Sequence, residues 1–208
     1  MGNKTFTVRA KRWIKFFKNY VNERVHGLDF SMVYVGSLQR RVAEFHGYSM
    51  TDADDMKKML RALPVNPGEA AFLDVGCGKG MCMKCAVESG YRSVAGLDLD
   101  EHLLDIARRN MKKLNMDAAC IYANAAEFAH YGDYDVFYFY NPFGRPVFEK
   151  VIRRLIDSQK QRRRDIWAIY YHPVFGELFE AAGFSLENTL HDSTRDTVTN
   201  FYHYSKAE

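Results

Sequence analysis

The chain has 208 residues, 47% of them hydrophobic and 14% aromatic, which suffices to bury one sizeable core and not two. Its formal net charge is only +3, so attraction to an oppositely charged partner has to come from local segments. Lys15 and Lys18 interrupt the apolar pairs near the N-terminus, leaving no signal-peptide core, and no apolar run approaches membrane-spanning length. A soluble, cytoplasmic protein with no membrane partner is expected.

In chain order, residues 1–47 read as an N-terminal helical cap. Ala10, Trp13, Ile14, Phe17, Tyr20 and Val21 recur at helical spacing, with Lys11, Arg12, Lys15 and Lys18 on the other side. A second segment, 37–45, carries Leu38, Val42 and Phe45 on one face, and Gly27 and Gly36 punctuate the loop between. These residues are too few for a core of their own, so they are expected to cover a ligand cleft in the unit that follows, residues 48–208. Thr51, with Asp54 three residues on, forms a variant capping box opening a helix whose buried stripe is Met56, Met59, Leu60 and Leu63.

From Phe72 onward the pattern alternates. Strands are expected at 72–75, 93–97, 119–123, 134–140 and 166–171, with helices at 80–89, 101–114, 146–157 and 174–182. That alternation calls for a parallel sheet covered on both faces. After Ala182-Gly183, two strands at 184–190 and 198–204 follow with no helix between them, so they pair antiparallel. The expected fold is α/β: a doubly wound, mostly parallel sheet finishing in an antiparallel hairpin.

The run Phe72-Leu73-Asp74-Val75-Gly76-Cys77-Gly78-Lys79-Gly80 couples a buried strand to a glycine turn and then a helix. Its spacing is G-x-G-x-G, with Asp74 two positions before the first glycine, and differs from the G-x-G-x-x-G of dinucleotide sites. A second apolar strand, Val94-Ala95-Gly96-Leu97, ends in another carboxylate, Asp98, suited to accept hydrogen bonds from both ribose hydroxyls. The pair resembles the first motifs of class I S-adenosylmethionine (SAM) methyltransferases. That resemblance implies a seven-stranded sheet of order 3-2-1-4-5-7-6, SAM as cofactor and S-adenosylhomocysteine (SAH) as product. It also implies that Gly76, Cys77, Gly78 and Gly80 pass under the ligand, and that Asp74 orients the turn and the methionyl ammonium. Asp98 and Leu99 then lie at the ribose, and Asn124 and Ala125, after the third strand, at the adenine.

The fourth strand ends in Tyr140-Asn141-Pro142-Phe143-Gly144, which looks like a reduced form of the [D/N]-P-P-[F/Y/W] motif of amino methyltransferases. The resemblance implies that Asn141 and Pro142 grip a target amino group while Phe143 stacks on the acceptor. The second proline is missing and the aromatic residue stands one place early. His172 follows the fifth strand and is a weaker candidate base; Tyr48 and Thr51 sit where some relatives close over the cofactor. Cys77, Cys82 and Cys85 have the spacing of plant-type iron–sulfur proteins. Cys77 falls inside the turn and Cys120 in a separate strand, so buried thiols and no metal are expected.

Residues 1–25 and 150–164 are each strongly basic, consistent with a nucleic acid or an acidic protein as partner or with a solvated helix face. The sequence therefore predicts methyl transfer from SAM to an acceptor, an amino nitrogen on nucleic acid or protein being one reading. A small-molecule methyltransferase, and a SAM-binding or nucleic-acid-binding module without turnover, are the alternatives.

Overall fold

Strands that are buried along their whole length need cover on both faces, and two segments here meet that description: Ala71–Val75 (β1) and Ile166–Tyr171 (β5). The computed structural model describes residues 14, 17–31, 51–192 and 197–205. It joins β1 and β5 with Ser93–Asp98 (β2), Ala119–Tyr122 (β3), Val136–Tyr140 (β4), Ser185–Asp192 (β6) and Thr197–Tyr204 (β7) into one sheet. The order is β3-β2-β1-β4-β5-β7-β6, as expected. Strands β1 to β5 pair in parallel; β7 runs antiparallel between β5 and β6.

Helical residues 17–25 (α1), Ala53–Ala62 (α2), Met81–Glu88 (α3) and Glu101–Lys113 (α4) precede β3, while Arg145–Asp157 (α5) and Glu177–Ala181 (α6) come later. Side chains alternate across the sheet. Along β4, Tyr138 joins a core with Leu28, Phe30, Met56 and Met83, whereas Phe137 and Phe139 point the other way onto Phe148 and Phe179. No helix among the described residues is long and apolar enough to cross a membrane.

Local chemistry moves several expected boundaries. Asp52, not Thr51, caps α2, its carboxylate accepting from the Asp54 amide at 3.0 Å. Thr51 is turned inward, with its hydroxyl 2.7 Å from that of Tyr138, because a buried tyrosine hydroxyl needs a partner. The fourth strand starts at Val136 because Tyr131–Asp133 forms a 3-10 turn, and α6 is shorter than the expected 174–182. Part of the expected N-terminal cap falls within the described residues. Among the described residues, Ile14 and Phe17 are 67% and 66% exposed, and Leu28 and Phe30, beyond the helix, enter the core. The expected helix at 37–45, and Tyr48, lie outside the described residues.

Candidate cofactor and acceptor site

β1 ends at Val75 and the chain turns through Gly76, Cys77, Gly78 and Lys79 into α3, whose N-cap is Gly80. Gly76, Gly78 and Gly80 have φ of +88°, +51° and +85°, a region costly for residues with a Cβ. The amides of Gly76 and Cys77 both donate to the Leu97 carbonyl, at 2.9 and 3.0 Å, so the turn leans on β2. There Gly96 is required. A side-chain carbon at 96 would lie 2.5 Å from Cys77 Cβ and from Met83 Sδ. The sequence reading assigned no part to Gly96, although a glycine inside an apolar strand signals close approach of other backbone or side chains.

Asp98 stands at the carboxyl end of β2. Its Oδ2 accepts from the Gly78 amide at 2.8 Å and its Oδ1 from the Asp100 amide at 2.9 Å. A carboxylate has about four lone-pair sites, so each oxygen keeps an acceptor position for a hydroxyl. Asp74, on β1, is 3% exposed and carries a carboxyl that no hydrogen bond among the described residues satisfies. Burial pushes that carboxyl up to about 8, and the Asp98 charge adds to the shift. An unpartnered buried acid is costly unless a ligand completes it. These residues fit SAM: an ammonium can complete Asp74, and ribose hydroxyls can complete Asp98.

The candidate acceptor residues stand at the carboxyl ends of β4 and β5. A side-chain carbon at Gly76 would lie 3.2 Å from Pro142 Cβ, so the Asn-Pro corner abuts the cofactor turn. Asn141 has φ +38°, a left-handed conformation that Asn tolerates better than most residues. Its Oδ1 accepts from the Tyr170 hydroxyl at 3.3 Å, while that hydroxyl accepts from the Phe175 amide at 3.4 Å. Phe143 is a correction: it is buried and packs 6.5 Å from the ring of Phe148 on α5, so it is not presented for stacking on an acceptor. Its early position in the motif explains this, since the chain is already bending into α5 at Gly144.

The half-buried aromatic groups at this edge are instead Tyr140 and His172, stacked with centroids 5.6 Å apart and planes at 15°. His172 also has a left-handed φ, +53°. Asn124 uses its Oδ1 to accept from the Ala126 amide at 3.0 Å, which stabilises the turn after β3, and Ala125 is buried beside it. Leu99 is half-buried next to Asp98.

The basic segment 150–164 divides in two. Arg164 is buried, and its guanidinium donates to the carbonyls of Tyr134, Tyr131 and Arg162 and to the Ser158 hydroxyl. Arg162 donates to the Gly132 carbonyl and pairs with Asp135 at 2.6 Å. Both hold the loops at the amino ends of β4 and β5, the edge opposite the cofactor turn. Arg153, Arg154 and Arg163 remain exposed. Cys77, Cys82 and Cys85 are buried in the core beside α3, and burial raises all three thiols.

Residues 72–161, from β1 through α5, match the methyltransferase domain family. Type II methyltransferase M.VspI of Vibrio sp. (strain 343) is 26% identical over 159 residues, covering 72% of this chain. The chain spans 38% of that relative's length. Among solved structures, a precorrin-6y C5,15-methyltransferase from Geobacter metallireducens GS-15 superposes with a TM-score of 0.59 at 15% identity, covering 77% of this chain and 94% of its own. A SAM-dependent methyltransferase from Aquifex aeolicus gives 0.56 at 13% identity, covering 74% and 98%. A dinucleotide-binding sheet of order 3-2-1-4-5-6 would share the parallel half of this one but not the antiparallel β7 between β5 and β6. On that topology and the match over residues 72–161, the chain carries a methyltransferase domain match and has the fold of the class I, Rossmann-like SAM-dependent methyltransferases.

Proposed function

We propose that this protein transfers a methyl group from SAM to an acceptor held at the carboxyl ends of β4 and β5, with an amino nitrogen of nucleic acid or protein as the favoured acceptor. The observation that carries the cofactor half is Asp74, an almost fully buried carboxyl without a hydrogen-bond partner among the described residues, next to a glycine turn and a second acid. Bound SAM supplies a methyl already activated on a sulfonium, so the chain's task is to position groups and exclude water. Asp74 takes the ammonium as its charge partner. Asp98 accepts the ribose hydroxyls while holding Gly78 in place.

The amino-acceptor reading rests on Asn141 and Pro142, which combine a left-handed corner, contact with Gly76 and a resemblance to the amino methyltransferase motif. The exposed arginines Arg153, Arg154 and Arg163 support an acidic partner through charge alone. Radiolabelled SAM incubated with separate RNA, DNA, protein and metabolite fractions of a cell extract tests the reading. Label is expected in a macromolecular fraction. Label confined to metabolites would move the acceptor to a small molecule, and SAH binding without any labelled product would make the protein a binding module.

A further inference from the structure

The three left-handed glycines at 76, 78 and 80 make the cofactor turn intrinsically loose, since glycine loses more conformational freedom on folding than any other residue. Something outside the turn has to hold it. Its one long side chain, Lys79, is 1% exposed and directed into the protein, where Nζ pairs with Asp29 Oδ1 at 2.8 Å. Asp29 lies just past α1, fifty residues earlier in the chain.

Asn110, on α4, ties the same two residues together through their backbones. Its Nδ2 donates to the carbonyls of Asp29 at 3.0 Å and Lys79 at 3.1 Å, and its Oδ1 accepts from the Asp29 amide at 3.0 Å. Asn110 is 2% exposed; its bond to the Lys79 carbonyl is buried and the two to Asp29 are part-buried. The segment that delivers Asp29 is itself built for docking. Glu23 Oε2 accepts from the amides of Phe30 and Ser31 and from the Ser31 hydroxyl, at 2.8–3.0 Å, folding the chain back on α1. Leu28 and Phe30 then enter the core that also contains Cys77, Met83 and Met111.

We propose that Lys79, Asp29 and Asn110 form a latch that makes residues 23–31 a working part of the cofactor site, so that docking of this segment and binding of SAM or SAH are thermodynamically coupled. Lys79 and Asn110 are positioning residues: they act on the ligand through Gly78 and Gly80, which flank Lys79 and whose backbone the latch holds in the binding geometry. Coupling of this kind is reciprocal. A docked segment tightens the cofactor, and the cofactor tightens the segment by the same factor. The inference rests on the assignment of the turn as a SAM site.

The test combines SAH titration calorimetry with amide hydrogen exchange on the full chain, for the parent, Asp29→Asn, Lys79→Met and the double variant. Asp29→Asn keeps the backbone bonds to Asn110 and so supplies a folded variant even where Lys79→Met fails to fold. In the parent, SAH is expected to slow exchange at the amides of residues 28–31. Each single variant is expected to weaken SAH by about fivefold to fiftyfold, within the range of ordinary coupling energies, and the double variant no further than the worse single one. A latch that only props up the fold would lower the melting temperature and leave SAH affinity within twofold of the parent. That result, or exchange at 28–31 indifferent to SAH, would overturn the proposal. A parent that does not bind SAH at all would overturn the cofactor assignment itself, a different failure from tight binding in parent and variants alike.

Discussion

Replacing Asp74 with Asn should stabilise the free protein at alkaline pH and weaken the cofactor, two effects of opposite sign from one substitution. The carboxyl is raised from 3.8 to about 8, first by burial and then by Asp98. Each unit corresponds to about 1.4 kcal/mol, so the full shift is worth about 5–6 kcal/mol as an upper bound. Relaxation and water entry reduce such penalties, and about 2–4 kcal/mol is expected. Between pH 4 and 8 the folded chain holds a proton on Asp74 that the unfolded chain has lost. Stability from this group therefore falls as pH rises through that window and levels off above about 8. Asn has nearly the same shape and no charge to bury, so it removes the slope. The neighbouring Asp98 is raised in the same direction by burial and stays in both proteins, so the difference between them reports Asp74 together with its coupling to Asp98. Urea unfolding of parent and variant at pH 5, 6.5 and 8.5 measures it. SAH affinity at pH 8 should drop at least tenfold in the variant, because an ammonium loses its charge partner. Identical pH dependence in the two proteins, or unchanged SAH affinity, would refute the reasoning.

Asp98→Ala should cost about 1.5–3 kcal/mol of SAH binding, read by calorimetry, and NAD should leave the parent's melting temperature unmoved. Because Asn141 is left-handed, Asn141→Gly removes its side chain without backbone strain; SAH affinity should stay within a few-fold while label transfer from SAM falls about thirtyfold or more. Parental turnover in that variant would make Asn141 structural. Arg164→Ala should destabilise by about 2–4 kcal/mol in urea unfolding, since four hydrogen-bond acceptors lose a buried guanidinium, whereas exposed Arg163→Ala should stay within about 0.5 kcal/mol. Equal effects of the two would contradict the division of the basic segment.

Some of this was legible locally. The apolar runs of β1 and β2, the three glycines between β1 and α3, and a carboxylate at each of positions 74 and 98 lie within short stretches of chain, and the backbone chemistry of each is set by its own residues. The antiparallel end of the sheet was equally readable, because strands joined without a helix have one way to pair. These local signals were sufficient for the alternation of strands and helices and for the cofactor turn, whereas the sheet order came from the family resemblance that they carry.

Side-chain destinations were not local. Thr51 carries the chemistry of a helix cap, yet Tyr138 on β4, 87 residues later in the chain, claims its hydroxyl. Phe143 carries the shape of a stacking residue, yet Phe148 one helical turn later takes it into the core. Three consecutive arginines look alike in the sequence, and only the positions of Tyr131, Tyr134 and Asp135 decide that two are structural and one is exposed. Lys79 reads as an ordinary residue between two glycines. Its partner comes from fifty residues upstream and the amide that joins them from α4, a convergence that exists once the sheet has closed and burial makes each unpaired polar group costly. The sequence by itself determined the backbone path of the cofactor site; which side chains hold that path in place was decided by long-range packing, which no short window of the chain encodes.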